Sequence, residues 1–216
     1  MTSAKRHGSP GSIPKKTVYR LSIYLRCLQR LRENGLRTVS SEALAKVAGV
    51  KSAQLRKDLT YFGQFGTRGL GYDAQELLDR ITASLGTNRL QPVVLVGVGN
   101  LGSALLEYKG FERAGFEIVD AFDIDTSRRR LRDWMKPIQP MSRLADTVKK
   151  HSVKMAILAV PANSAQEAAK VLMAAGITAI LNFAPTVLHV PEEVVVNNVN
   201  LASELENLSY FVQTER

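Results

Sequence analysis

From about Lys15 to Asn34 the apolar residues Val18, Leu21, Leu25 and Leu28, joined by Tyr24 and Leu31, recur three and four positions apart. That spacing predicts one amphipathic helix, and Gly35 is placed to end it. A second, shorter helix is expected from Ser41, as its N-cap, through Leu44, Ala45 and Val47 to Ala48. Gly49-Val50 turns the chain into a third, from about Ser52 to Phe62. In the third helix Leu55, Leu59 and Phe62 share one face, and Gln54, Arg56, Lys57, Thr60 and Tyr61 take the other.

Two short helices joined by a glycine turn form a helix-turn-helix pattern. Ser52, Gln54, Arg56, Lys57, Thr60 and Tyr61 are then the DNA-binding candidates, because hydrogen-bonding and cationic side chains on a second helix are what a major groove accepts. The next stretch, Gly63 to Tyr72, holds Gly63, Gly66, Gly69 and Gly71 around Arg68. Its composition predicts a glycine-rich hairpin, the wing of a winged-helix domain, with Arg68 at a tip suited to a narrow minor groove. Asp73 and Glu76 have the spacing of a capping box before a further helix that turns Leu77, Leu78, Ile81 and Leu85 inward.

After residue 91 the pattern changes to alternating strands and helices. Short apolar runs at Val93–Val96, Phe116–Phe122, Val153–Val160, Ile177–Leu181 and Val194–Val196 are separated by helical segments at Ser103–Leu106, Ser142–His151 and Ala165–Ala175. A strand between Trp134 and Met141 is poorly marked, interrupted by Pro137 and Pro140. Such alternation predicts an α/β fold, a doubly wound parallel sheet covered by helices on both faces. A last amphipathic helix is expected over Leu201–Val212. The expected organisation is a disordered tail over 1–13, a winged-helix domain over 14–85, a linker over 86–91, a Rossmann domain over 92–200 and a terminal helix over 201–216.

Charge sharpens the division. Residues 1–80 carry 15 Lys and Arg against 6 Asp and Glu, whereas the rest of the chain holds 14 of each sign. The whole excess of +9 belongs to the first third, which implies a polyanionic partner for that part alone. The hydrophobic content of 45% suffices for packed cores, and no apolar run approaches the roughly 20 residues of a membrane span. The polar, basic N-terminus lacks the apolar segment of a signal peptide. One cysteine, Cys27 among leucines, excludes an intrachain disulfide framework and suits a reducing cytoplasm.

The chemistry is concentrated at Gly97-Val98-Gly99-Asn100-Leu101-Gly102, between a strand and a helix. That is the context of a dinucleotide fingerprint: a tight turn at Gly97, close approach of a pyrophosphate at Gly99, helix–strand packing at Gly102 and a helix N-terminus for the phosphates. Asp123 ends the second strand 21 residues after Gly102, where a carboxylate grips ribose hydroxyls and repels a 2′-phosphate, favouring NAD over NADP. The other strand ends, with Val160, Pro161, Phe183 and Pro185, present an apolar surface to the nicotinamide. Arg128-Arg129-Arg130 follows as a cationic run that could compensate for that repulsion, although a solvated helix face is its expected role.

No proton donor for hydride transfer is placed at these ends. His7, His151 and His189 read as surface residues, no Tyr-x-x-x-Lys pair occurs, and no metal-ligand cluster is present. The reading is therefore a nucleotide that is sensed, with a cytosolic NAD-dependent oxidoreductase carrying a basic accessory domain as the alternative.

Leu25-Arg26, Leu55-Arg56-Lys57-Asp58-Leu59 with Tyr61-Phe62-Gly63, Gly69-Leu70-Gly71-Tyr72, the glycine fingerprint, Leu181-Asn182-Phe183-Ala184-Pro185 and Ser203-Glu204-Leu205 together resemble the Rex family of redox-sensing transcriptional repressors, from about Ile13 to Phe211. The resemblance implies a cytoplasmic homodimer that binds a palindromic operator when NAD is abundant and leaves it as NADH rises. It implies a last helix exchanged between subunits, and places Tyr108 near the nicotinamide and Arg26 near the domain interface. The family usually has Asp where this chain has Asn200, in Asn198-Val199-Asn200-Leu201, so residue 200 is the departure at the switch.

Overall fold

A computed structural model of the chain describes residues 13–66, 70–127 and 136–214. Arg68, the Arg128–Arg130 run and the 1–12 part of the expected tail lie outside the described residues. The chain divides into two compact units, Met1–Arg89 and Leu90–Arg216.

In the first unit α1 spans Lys15–Glu33, and its inward stripe is Thr17, Leu21, Tyr24 and Leu28. Val18, expected inside, is 40% exposed. Thr17 takes the inward place expected of Val18, because its hydroxyl, like that of Tyr24, finds a buried partner described below. After β1 (Thr38–Val39), α2 covers Ser41–Val47. Its N-cap is Ser40, not Ser41: the Ser40 side chain accepts from the Ala43 N–H. The Ala48-Gly49-Val50 turn, with Gly49 at φ 68°, leads into α3 (Ser52–Thr60), which buries Leu55, Asp58 and Leu59.

In the glycine-rich stretch the described residues form one strand, β2 (Tyr72–Asp73), which pairs antiparallel with β1 and not with a strand of the same stretch. The two ends of the stretch close on each other, since a Cβ on Gly66 would lie 2.4 Å from the Gly71 carbonyl oxygen. Asp73 caps α4 (Ala74–Leu85) by accepting from the Glu76 N–H. Leu77 and Ile81 of α4 join Leu21, Tyr24, Leu28, Leu44, Leu55 and Leu59 in one core, and each such side chain removed from water contributes about 1.5–3 kcal/mol.

The second unit is a parallel sheet over β3 (Gln91–Val96), β4 (Phe116–Phe122), β5 (Met155–Leu158), β6 (Ala179–Asn182) and β7 (Val195–Asn198), in the order β4-β3-β5-β6-β7. The segment before Met141 contributes a single bridge, Phe122 to Gln139, instead of a strand. Pro137 and Pro140 flank Gln139 and lack the N–H a ladder needs. Alternate residues of β3 serve opposite faces. Val94 and Val96 pack with α7 (Leu144–His151) and α8 (Ala162–Ala174) through Leu144, Val148, Ala165, Ala169 and Leu172. Val93 and Leu95 pack on the other side with Leu105 and Leu106 of α5 (Asn100–Leu106) and Phe111 of α6 (Gly110–Arg113), a short helix the apolar pattern did not announce. The chain ends in α9 (Leu201–Thr214), whose Leu201, Leu205, Leu208 and Phe211 are all exposed.

Candidate nucleotide and DNA sites

β3 is flanked by β4 on one side and β5 on the other, so the chain winds outward in both directions from it and leaves a crevice at the strands' carboxyl ends. Gly97, Gly99 and Gly102 sit there for different reasons. Gly97 has φ 95°, and a Cβ would meet the Ala159 carbonyl oxygen at 2.5 Å and Val160 Cγ1 at 2.7 Å, which also places Val160 beside the turn. A Cβ on Gly102 would lie 1.9 Å from the Gly97 carbonyl oxygen, so helix and turn touch there. Gly99 differs. Its φ of −74° suits any residue, and nothing stands within 4 Å of a Cβ placed on it. The protein's own packing does not require glycine at 99, and open space at that point fits a ligand phosphate against the backbone.

Val98 is buried, and its N–H donates to Asp123 Oδ2 at 2.5 Å. Asp123 Oδ1 accepts from the Asp125 N–H at 3.0 Å. The carboxylate is thereby fixed beside the glycine turn, with lone pairs left for ribose hydroxyls. Asn100 and Leu101 are exposed at the start of α5, and Pro161 is exposed at the N-terminus of α8. Tyr108 is exposed and edge-on to Phe111, at 5.2 Å between ring centroids. Its ring lies over Gly110, where a Cβ would come 2.2 Å from Tyr108 Cζ.

The loop after β6 is held at both ends. The Asn182 side chain, fully buried, donates to the Thr186 carbonyl and accepts from the Ala184 N–H. Gln166 of α8 donates to the His189 carbonyl and accepts from the His189 N–H, each at 2.9 Å. Between these clamps Phe183 is half-buried and Pro185 exposed. Asn200 precedes α9 and caps it, its Oδ1 accepting from the N–H groups of Ala202 and Ser203 at 3.0 and 3.3 Å.

In the first unit the α3 face bearing Arg56, Lys57 and Thr60, with Tyr61 at its end, is exposed. Arg56 Nη1 donates to Ser41 Oγ at 2.9 Å and Glu42 Oε1 at 3.2 Å, a solvent-screened contact that ties α3 to the start of α2. Thr60 Oγ1 donates to the Lys57 carbonyl. Lys57 and Tyr61 make no side-chain hydrogen bond among the described residues. Ser52 is half-buried at the helix start, and Arg26 is exposed on α1.

Gln54 faces inward more than expected, donating to Asp58 Oδ1 at 2.9 Å. Asp58 is the residue that sequence reasoning missed. At 1% exposure it accepts from Arg20 Nε (2.6 Å) and Nη2 (2.7 Å), Tyr24 Oη (2.8 Å) and Thr17 Oγ1 (3.2 Å), all on α1. Burial alone would raise this carboxyl, but the hydrogen bonds from Arg20, Tyr24 and Gln54 outweigh it and hold the group below the usual carboxylate range. Burial first, and then the bond to Asp58, push the Tyr24 hydroxyl upward. The signal was available: Asp58 lies between Leu55 and Leu59 on the inward stripe of α3.

Among the described residues no helix is long and apolar enough to cross a membrane, and no group of His, Cys, Asp and Glu could hold a metal ion.

Two family models match the chain. One described as "Putative DNA-binding protein N-terminus" covers residues 12–60, and one described as "CoA binding domain" covers residues 88–186. A redox-sensing transcriptional repressor Rex of Pelotomaculum thermopropionicum is 47% identical over 204 residues, 94% of this chain and 96% of the relative. A Rex repressor of Streptomyces coelicolor is 46% identical over 201 residues, 93% of this chain and 78% of the relative. Among solved structures, RSP in complex with β-NAD+ and operator DNA matches with a TM-score of 0.86 at 35% identity, covering 94% of each chain. RSP in complex with β-NADH matches with a TM-score of 0.82 at 33% identity, covering 94% of this chain and 96% of that one.

Proposed function

Because the chain belongs to the Rex family of redox-sensing transcriptional repressors, we propose that it holds operator DNA through its first unit and releases it when NADH occupies the second. Its relatives are named transcriptional repressors, which are regulators and not enzymes, so the oxidoreductase alternative falls away. The observation that carries the nucleotide reading is Gly99, a glycine that the packing of the described residues does not require, next to Val98, whose N–H fixes the Asp123 carboxylate. Gly97 to Gly102 would hold the pyrophosphate, Asp123 the adenosine ribose in preference to a 2′-phosphate, and Val160, Pro161, Phe183, Pro185 and Tyr108 the nicotinamide end.

Lys57, Arg56, Thr60 and Tyr61 would meet the duplex, with Ser52 at the start of their helix and Arg68 in the wing. Gln54 would act through Asp58 or reach the duplex only by leaving it. The repressor works in the cytoplasm as a homodimer. The exposed apolar residues of α9 support that assembly, since Leu201, Leu205, Leu208 and Phe211 would be covered by exchange with a second copy. The domain limits would fall near 14–85 and 92–200, a reading supported by the division of the chain into Met1–Arg89 and Leu90–Arg216. Arg26 and Asn200 are the residues through which the units would communicate.

The test is an anisotropy titration of a labelled palindromic duplex. NADH should release the DNA at concentrations where NAD does not, without being consumed. Release by neither nucleotide, or by both equally, would overturn the reading.

A further inference from the structure

Asn182 ends β6 at zero exposure, in a strand otherwise built of Ala179, Ile180 and Leu181. A buried amide must have its polar atoms satisfied, because leaving them unpaired costs about 1–3 kcal/mol. Its Oδ1 accepts from the Ala184 N–H at 3.0 Å, and its Nδ2 donates to the Thr186 carbonyl at 2.9 Å, with the Ala184 carbonyl at 3.4 Å. Those bonds already shape the loop that carries Phe183 and Pro185. The side chain makes one bond more, from Nδ2 to Asn198 Oδ1 at 2.9 Å. Asn198 closes β7 and is exposed, so water could have served its amide equally well. The Asn182 carbonyl also accepts from the Val199 N–H at 2.8 Å. One residue further, Asn200 caps α9.

A single buried residue therefore holds two segments, the loop after β6 through its side chain, and Asn198 and Val199 before the α9 cap through its side chain and its carbonyl. We infer that the Asn182–Asn198 pair is the positioning link by which a nucleotide lying against Phe183 and Pro185 sets the direction in which α9 leaves the sheet. The inference rests on the proposed redox-sensing function and adds to it a path within the second unit. Displacing the loop shifts the Asn182 amide, whose bonds leave it little slack. Asn198 follows, and the first turn of α9 moves with its cap. Neither asparagine touches the nucleotide; both act through what they hold.

The test uses the full chain with Asn198→Ala, which removes the acceptor at an exposed position, and Asn198→Asp, which keeps an oxygen there. Two quantities are read: NADH affinity of the DNA-free protein by fluorescence, and the NADH concentration that half-releases a labelled palindromic duplex bound by the wild type. Asn198→Ala should hold NADH within about twofold of wild type yet need at least about fivefold more NADH for release, the low end of usual coupling between sites. Asn198→Asp should restore release. If Asn198→Ala releases DNA at the wild-type concentration, or loses affinity and release in equal proportion, the pair transmits nothing. An Asn198→Asp protein as impaired as the alanine variant would likewise overturn the link. A wild type whose DNA affinity ignores NADH would overturn the function itself, and that outcome is visible before any variant is made.

Discussion

The Tyr24 hydroxyl donates to Asp58 Oδ2 at 2.8 Å, joining the middle of α1 to a carboxylate on the buried face of α3. With Arg20 bidentate on the same carboxylate, the helix that would enter the groove is locked to the longest helix of its unit by charge as well as by packing. The exposed residues of α3 are thus presented from a fixed platform, which is what positions side chains against base edges.

Arg20→Leu should destabilise the first unit by about 3 kcal/mol, because it leaves a buried carboxylate without its cation. The pH dependence follows from the lowered Asp58 group. Its contribution is complete above the ordinary carboxylate value of about 3.9 and is lost as the pH falls through its own lower value. Thermal unfolding of wild type and variant, followed from pH 7 downward, should converge as the acid limit is approached. A constant difference between them would show that Asp58 does not supply the effect.

Gly99→Val and Gly102→Ala should separate ligand binding from folding. Valine at 99 meets open space with ordinary backbone angles, so the melting temperature should hold, within about 0.5 kcal/mol in stability. NADH affinity should fall at least about tenfold, or about 1.4 kcal/mol. Alanine at 102 drives a methyl into the Gly97 carbonyl and should cost about 1–3 kcal/mol of stability. Calorimetry and fluorescence titration on both proteins check the pair.

Much of the candidate site could be read from the sequence because glycine is conspicuous, at Gly97 and Gly102 where other residues would clash and at Gly99 where the backbone is left open. The fingerprint, Asp123 and the apolar strand ends all arise from short-range spacing, and so does the exposed face of α3. What could not be read depends on long-range pairing. β1 is two residues long and exists only because Tyr72–Asp73 returns to it. The phase of α1 was misjudged at Val18 because Thr17 reaches Asp58, 41 residues away. Asn182 looks like a polar strand end until Asn198 is placed beside it. Gln139 fell short of a strand for a reason its neighbouring prolines did announce.

Lys57→Ala should weaken operator binding and flatten its salt dependence. Each lysine withdrawn from a phosphate reduces the slope of log affinity against log salt by about 0.9, and the proposed homodimer would lose two. NADH affinity should stay unchanged, since Lys57 belongs to the other unit. A variant with the wild-type slope would remove Lys57 from the phosphate contacts.

Asn200→Asp should sharpen the switch without disturbing α9. Aspartate caps a helix as well as asparagine does, and its charge favours the N-terminal end of the dipole. Bonds between ionised groups are about twice as strong as neutral ones, so pairing of residue 200 with a cationic side chain would gain. The ratio of NAD to NADH concentrations needed for DNA release should rise at least about fivefold. Equal ratios in the two proteins would show that residue 200 does not tune the response.

The outward-facing Leu201, Leu205, Leu208 and Phe211 of α9 have a consequence for abundance. In the proposed homodimer, a helix that hides its apolar side in a second copy would make the working repressor a product of mass action. Dilution would then loosen assembly and DNA binding together, so the number of copies in a cell would become a variable of the circuit alongside the nucleotide pool.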